Sequence, residues 1–257
     1  MIEQTVDFYC VRAFSSEEFF GNPAAVFFVE EFPKDAQDIS AKINFSETVF
    51  VKPYKKNIFF IRWFSPKDEA PLCMHATIAA VYMINKKYGL SQVRLIHKRG
   101  VIDASVDAND QVHLLTPVIS LKPLSSNYDV SLPNAKEILT DGLIDIVVLE
   151  GESDVLHYQP DFDAIKKLKK RALCITASSQ KYDYVCRYFA PSVGIFEDPF
   201  CGSVNCRLAL YWSNVLKKKS VSSYQKSGTC ECIIHTSGIV EFIARADLYE
   251  ERKLMTA

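Results

Sequence analysis

Several polar side chains in the sequence are of the kinds that transfer protons. Glu47 follows Ser46 at a turn inside a largely apolar stretch, so we expect its carboxylate to be partly desolvated. Desolvation raises the pKa of a carboxylic acid and makes its conjugate base stronger. His75 and Asp198 each stand at the entrance of a predicted apolar helix. These residue types indicate general acid–base chemistry, with an exposed turn residue, a buried histidine and a helix cap as the structural alternatives.

Two predicted helix N-termini could bind an anion. One begins near Cys73 and Met74, and the other begins at Gly202 and Ser203. Free backbone N–H groups and the positive end of the helix dipole favour a carboxylate at such a position. The same dipole disfavours the charged form of His75 in the first turn, so a neutral imidazole is expected there.

The eight cysteines are expected to be thiols rather than disulfides or metal ligands. No C-x-x-C pair occurs, and the N-terminus lacks the basic and apolar regions of a signal peptide, so we expect a reducing, cytoplasmic location. Cys230 and Cys232 share one face of a predicted strand, whereas His235 lies on the other. This alternation favours a buried strand over a metal site, and we predict no metal.

Composition and charge exclude several classes of protein. The chain has 257 residues, of which 48% are hydrophobic and 24% charged, as in ordinary globular proteins. Lys and Arg number 30 against 31 Asp and Glu, which gives no basic excess for nucleic acid. The longest nearly apolar run, residues 76–84, is far shorter than the roughly 20 residues of a membrane span. We therefore expect partners that are neither nucleic acid nor membrane.

Two helices, residues 73–88 and 204–216, are apolar on nearly every side, which predicts that both are buried. Shorter helices are predicted at residues 33–43, 135–139 and 162–170. Predicted strands cover residues 6–14, 48–51, 58–64, 93–97, 101–106, 112–115, 144–149, 172–177, 182–189, 230–234 and 239–244. Residues 24–29 form an apolar run.

The order of elements is similar in the two halves of the chain. Each half has a strand, then an acidic loop with proline, then a buried helix. This order predicts an α+β fold of two similar domains, each a curled mixed or antiparallel sheet around a central helix. Prolines at 117, 123 and 133 mark a linker, so the predicted domains are residues 1–117 and 118–257. A return of the last strand to the first domain stays open.

Five ordered segments resemble the motifs of a known family. They read FFGNPAAV from Phe19, NFSETVFV from Asn44, IRWFSP from Ile61, LCMHAT from Leu72 and EDPFCGS from Glu197. Together they resemble the PhzF family, the phenazine-biosynthesis isomerase-like proteins with the diaminopimelate epimerase fold.

The resemblance implies a cofactor-free isomerase that moves a proton on a small cyclic carboxylate. The best-known substrate of the family is trans-2,3-dihydro-3-hydroxyanthranilate. The role of general acid/base falls to Glu47, while His75, Asp198 and Ser203 would hold the substrate, with help from Ser46. Cys73, Met74 and Gly202 would complete the substrate-binding set. The family also implies a homodimer.

Some positions depart from the family pattern. Met74 replaces a glycine, Cys201 replaces a threonine, and Asn205 replaces a histidine. A later Q-x-S-x-R-G-G motif survives only as Gln225 and Ser227. These changes predict a preserved scaffold with an altered pocket lining.

Two alternative functions stay open. Cys73 and Cys201 lie near helix N-termini, where thiolates are favoured, as a two-thiol amino-acid racemase or epimerase would require. The family comparison, however, places the racemase cysteines at Met74 and Asp198. The other alternative is a non-catalytic binding protein on the same fold.

Overall fold

Strands account for most of the secondary structure, and helices are few. The computed structural model describes residues 4–124 and 130–256. In chain order the elements are β1 (Gln4–Ala13), β2 (Asn22–Phe28), α1 (Ala36–Ile43), β3 (Glu47–Lys55), β4 (Ile58–Phe64), β5 (Glu69–Ala70), α2 (Met74–Tyr88), β6 (Gln92–His97), β7 (Gly100–Val106), β8 (Gln111–Pro117), β9 (Lys122–Pro123), β10 (Ala135–Thr140), β11 (Ile144–Leu149), α3 (Glu152–His157), α4 (Phe162–Lys167), β12 (Ala172–Ser178), β13 (Tyr184–Ala190), β14 (Ile195–Asp198), α5 (Gly202–Leu216), β15 (Ser220–Gln225), β16 (Gly228–His235) and β17 (Ile239–Thr256).

The chain divides by its internal contacts into two units. Unit 1 holds the described residues up to Leu115 and from Ile243 onward, and unit 2 runs from Thr116 to Phe242. Most of β17 therefore belongs to unit 1, because its residues pair with β1 from Ala246 to Thr256. The sequence boundary, which placed residues 118–257 together, differs in this respect. The interpretation of the units as two similar domains stays a prediction.

In unit 1 a sheet surrounds α2. Neighbouring strands follow the order β17–β1–β2–β3–β4–β6–β7–β8, with β5 beside β4. The pairs β2–β3 and β4–β6 are parallel, and the other pairs with a determined register are antiparallel. Helix α2 contacts β1, β2, β3 and β7. Its apolar interior is buried along the length of the helix, as the sequence predicts.

Unit 2 repeats the same succession of pairings. The order is β9–β10–β11–β12–β13–β15–β16, with β14 beside β13. The pairs β11–β12 and β13–β15 are parallel, like β2–β3 and β4–β6 of unit 1. Helix α5 follows the short strand β14, just as α2 follows β5, and it contacts β15 and β16. The similarity between the halves is therefore present in the strand pairings of the two units.

The prediction of a helix at residues 135–139 was wrong, because this segment forms β10. It pairs with β11 on one side and with β9 on the other. Its residues, Ala-Lys-Glu-Ile-Leu, favour a helix locally, but backbone hydrogen bonds to distant strands decide the conformation. Helix α3 and strand β15 were not predicted, and the helix predicted at 162–170 ends at Lys167.

The predicted linker at residues 116–133 is partly structured. Its β9 joins the sheet of unit 2, and Val130 is buried in the apolar core of that unit. Residues 125–129 lie outside the described part of the chain. In the described ranges, no helix combines the length and apolar character that crossing a membrane requires. All eight cysteines lie in the described part of the chain, and there none of them forms a disulfide.

Gly21 is a position where the backbone excludes a side chain. Its φ is +88°, and a Cβ would lie 2.7 Å from the carbonyl oxygen of Ala13. Gly89, which ends α2, also has positive φ, but a Cβ there meets nothing within 4 Å. An alanine at Gly89 would therefore meet only the cost of a left-handed backbone, whereas an alanine at Gly21 would meet that cost and a steric clash.

We predict that Gly21→Ala lowers the free energy of unfolding by about 2–4 kcal/mol, against about 1 kcal/mol for Gly89→Ala. Both variants require a left-handed alanine, and Gly21→Ala adds contact with an immovable carbonyl. Chemical denaturation of the two variants and the wild type measures the difference. Equal losses would contradict the close approach at Gly21.

Candidate functional site

Glu47 is a buried carboxylate at the start of a buried strand. It is the first residue of β3 and lies opposite Ala24 in the parallel pairing with β2. Its side chain is 7% exposed, and the next four residues of β3 are also buried. A strand covered on both faces leaves its first residue little room to reach solvent. The sequence-based expectation of a desolvated position for Glu47 is confirmed, and the alternative of an exposed turn residue was wrong.

Ser46, which precedes Glu47 in the chain, forms a hydrogen-bonded pair with His75. The Ser46 Oγ lies 3.3 Å from His75 Nε2 and 3.1 Å from the carbonyl oxygen of Pro23. The hydroxyl hydrogen is directed to Pro23, so Oγ is left to accept the N–H of Nε2. This network assigns the tautomer of His75, with the proton on Nε2 and a lone pair on Nδ1.

Cys73 completes the contacts of the imidazole. It is the N-cap of α2, and its Sγ lies 3.2 Å from His75 Nδ1. Since Nδ1 carries the lone pair, the Cys73 thiol donates to it. Met74, the next residue, is buried, so its bulky side chain lies within unit 1 rather than in solvent. The ring of His75 is thus held between a serine and a thiol.

His75 is neutral at physiological pH. Desolvation lowers its pKa to about 4 from the ordinary value of 6.5. The positive end of the α2 dipole acts in the same direction. A neutral imidazole does not form an ion pair with a carboxylate such as that of Glu47.

Asp198, predicted as a catalytic residue, lies in unit 2 at the end of β14. Burial raises its pKa to about 6, and the backbone N–H of Phe200, 3.1 Å from Oδ1, partly offsets this shift. A carboxyl group with this pKa changes protonation close to neutral pH. It can therefore accept or donate a hydrogen bond to a bound ligand.

Gly202 and Ser203 form the first turn of α5, and Cys201 is its N-cap. This first turn, like that of α2, contains no acidic residue among its described side chains. Neither helix therefore neutralises the positive end of its own dipole with a first-turn carboxylate. The Cys201 thiol, 3.4 Å from Ser203 Oγ, is buried, and desolvation raises its pKa to about 12.

A buried amide network fixes the backbone in front of α5, and sequence reasoning did not assign it this role. Gln225 accepts from the N–H of Cys201 at 3.1 Å and donates to its carbonyl oxygen at 3.2 Å. Asn205 donates to the same carbonyl at 2.9 Å and accepts from Tyr184 and Ser223. In the sequence, the only indication of this role was that Gln225 is one of the two residues kept from the family's Q-x-S-x-R-G-G motif.

The structure gathers four of the predicted residues within unit 1. One donor atom from each of Glu47, Cys73 and His75 lies within 4.8 Å of the others, and Ser46 contacts His75. Asp198, Gly202 and Ser203 are gathered in unit 2 around the entrance of α5. Cys230 and Cys232 are buried, while the exposed His235 bonds to Glu241. Their division between two faces of the strand agrees with the prediction.

A family model described as phenazine biosynthesis-like protein, PhzC-PhzF, matches residues 11–236. An uncharacterized isomerase of Pseudomonas aeruginosa is 36% identical over 233 residues, which cover 86% of this chain and 87% of that protein. A solved PhzF-family protein of Enterococcus faecalis is 29% identical, with a TM-score of 0.90 over 98% of this chain and 99% of the other. A hydroxyproline epimerase of Agrobacterium vitis, 11% identical with a TM-score of 0.62, is similar in fold.

We predict that the imidazole of His75 stays neutral down to about pH 4, as a pH titration of its NMR resonances would measure. The folded pKa lies below the ordinary 6.5, so the folded state binds fewer protons between these values. Stability contributed by His75 is complete above pH 6.5 and is lost as the pH falls toward 4. A titration midpoint near 6.5 in the folded protein would contradict the desolvation of the ring.

Asp198→Asn is expected to raise the melting temperature above pH 6 by roughly 2–4 °C. The folded pKa of about 6 exceeds the ordinary 3.8, so the folded state binds the extra proton between them. Stability is therefore lost as the pH rises through 6, and the neutral amide avoids that loss. Calorimetry at pH 3.5 and pH 7.5 tests this, since the two proteins should differ only at the higher pH.

Proposed function

The chain belongs to the phenazine biosynthesis-like protein family, and we propose that it is an isomerase that moves a proton on a small cyclic carboxylate without a cofactor. Glu47 is the general acid/base of this reaction. Its carboxylate takes a proton from a carbon atom of the substrate, becomes a carboxylic acid, and returns a proton to another ring carbon. As the proton leaves one carbon and is returned to the other, the double bond of the ring moves toward the carbon that lost the proton. Substrate and product therefore contain the same atoms.

The burial of Glu47 beside a neutral His75 carries this proposal. A carboxylate that is 7% exposed is weakly hydrated, and a base reacts faster when it sheds little water. The neutral His75 adds no positive charge beside the carboxylate. Ser46, oriented by His75 and Pro23, presents a hydroxyl beside the base. General acid–base catalysis of this kind contributes about 10²–10⁴-fold in rate.

The substrate carboxylate is the group that the N-terminus of α5 would bind. Gly202 adds no side chain to obstruct its backbone N–H, and Ser203 adds a hydroxyl donor. Asn205 and Gln225 keep the preceding peptide in one orientation, so little ordering is needed when the ligand binds. Asp198, with its pKa near 6, would bind a polar substituent.

The substrate resembles trans-2,3-dihydro-3-hydroxyanthranilate in class: a small ring with a carboxylate and a polar substituent. The family resemblance assigns substrate-binding roles to Cys73 and Met74 at the start of α2, as it does to Gly202 and Ser203 at the start of α5. The departures at Met74 and Cys201 change the lining and thus the substituents accepted. A homodimer in the cytoplasm stays a prediction.

The two-thiol alternative is disfavoured by the state of Cys201. A racemase of that type alternates a thiolate and a thiol, and the pKa of Cys201 is raised to about 12 by burial. Cys73 donates to His75 instead of standing free as an acid. The carboxylate mechanism needs neither thiol to ionise.

We expect the protein in D₂O to introduce deuterium at C–H positions of a carboxylate substrate, as followed by NMR. The panel contains trans-2,3-dihydro-3-hydroxyanthranilate and other small cyclic and amino-acid carboxylates. Glu47→Gln should reduce the exchange rate by at least about 100-fold, because the amide cannot take the proton.

Cys201→Ser serves as the matched control for the thiol mechanism. It should retain exchange under the Glu47 mechanism and abolish it under the two-thiol mechanism. Exchange that survives Glu47→Gln would overturn the assigned base. A folded wild type that exchanges no proton in any member of the panel would count against the proposed substrate class.

A further inference from the structure

We propose that Glu47, Cys73 and His75 form a binding site for one Zn²⁺-type divalent ion, and that its occupancy blocks proton transfer by Glu47. The three side chains offer a carboxylate oxygen, a thiol sulfur and an imidazole nitrogen. These are the three kinds of ligand that proteins use for Zn²⁺. All three lie within unit 1, where β3 and α2 begin.

The distances between the donor atoms suit a tetrahedral ion. The three atoms lie within 4.8 Å of one another, and Cys73 Sγ is 3.2 Å from His75 Nδ1. Ligand bonds of about 2.0–2.3 Å in a tetrahedron place donors about 3.3–3.7 Å apart. We expect rotation of the three side chains to bring their donor atoms to this spacing.

The hydrogen bonds of His75 already hold its ring in the orientation of a metal ligand. Nε2–H donates to Ser46 Oγ, whose own hydrogen goes to Pro23, so the lone pair of Nδ1 points toward Cys73. Ligating histidines commonly donate their second ring nitrogen to such an acceptor, which fixes the tautomer. The ion would take the place of the proton that Cys73 and His75 share.

The charges also favour binding. Cys73 loses its thiol proton to solvent when the ion binds, and the resulting thiolate lies at the positive end of the α2 dipole. One thiolate and one carboxylate neutralise a divalent cation, which limits the cost of holding it at a partly buried position. Binding should tighten as the pH rises, since a proton is released.

Occupancy would switch the isomerase off. A Glu47 oxygen bound to the ion cannot take a proton from carbon. This consequence rests on the proposed function, whereas binding of the ion does not. Three protein ligands with one open position make the site exchangeable and not a permanent structural centre.

Co²⁺ is the probe of choice, because a thiolate bound to it gives a charge-transfer band in the near ultraviolet. We expect one equivalent of Co²⁺ to produce this band in the wild type, and Zn²⁺ to displace Co²⁺ and abolish it. Cys73→Ser should lose the band. Ser46→Ala should keep the band with about tenfold weaker affinity, because it removes only the acceptor behind His75.

Cys201→Ser is the matched control, since Cys201 begins α5 as Cys73 begins α2 but has Ser203 two residues later instead of a histidine. It should give the wild-type spectrum. A wild type without the band, or a band lost in Cys201→Ser and kept in Cys73→Ser, would overturn the site.

Isotope exchange in D₂O, with and without Zn²⁺, separates this inference from the proposed function. We expect Zn²⁺ to stop exchange by the wild type and a chelator to restore it. If the protein binds the ion but exchanges no substrate proton, the ion site stands and the proposed isomerase activity is rejected. If saturating Zn²⁺ leaves the exchange rate unchanged, the proposal that the ion blocks Glu47 is rejected.

Discussion

A helix that is apolar on nearly every side can persist only inside a cover of other elements, and α2 imposes this requirement on unit 1. Strands β1, β2, β3 and β7 supply the cover. Little polar surface of α2 is left except at its ends, where backbone N–H and C=O groups lack partners within the helix. At the N-terminal end of α2, backbone N–H groups are therefore available in the interior of unit 1. The candidate base Glu47 lies near this end.

The parallel pairing of β2 with β3 decides which residue occupies this place. Because both faces of β3 are buried at its start, the residue that enters the strand is withdrawn from water whatever its type. An apolar residue would be the stable choice at that position. A carboxylate there costs stability, and such costs are typical of residues retained for chemistry.

The predictability of the site follows from how local its signals are. Ser46 and Glu47 are adjacent, and Cys73 and His75 fall in a single helical turn, so short motifs sufficed to pick them out. The buried helices were also evident, because the nearly apolar run of residues 76–84 and the largely apolar segment 204–216 are typical of buried helices. By contrast, β10 carries a helix-favouring sequence and becomes a strand through partners far along the chain. The amide pair Asn205 and Gln225 acts on one peptide from two elements, a relation that no sequence spacing expresses.

The repeated succession of strands and buried helix gives the molecule two versions of one arrangement, and they differ in a small detail with a large effect. Each helix is entered through a cysteine, and the side chain two positions later is His75 in one and Ser203 in the other. With an imidazole, the entrance of α2 holds a ring of defined tautomer beside a carboxylate. With a hydroxyl, the entrance of α5 has a side chain that donates or accepts hydrogen bonds but does not act as a base at neutral pH. Under the proposed function, this single position distinguishes the half that carries the acid–base residues from the half that binds the anion. Exchange of His75 and Ser203 between the two helix entrances would test whether the two units can take over each other's role.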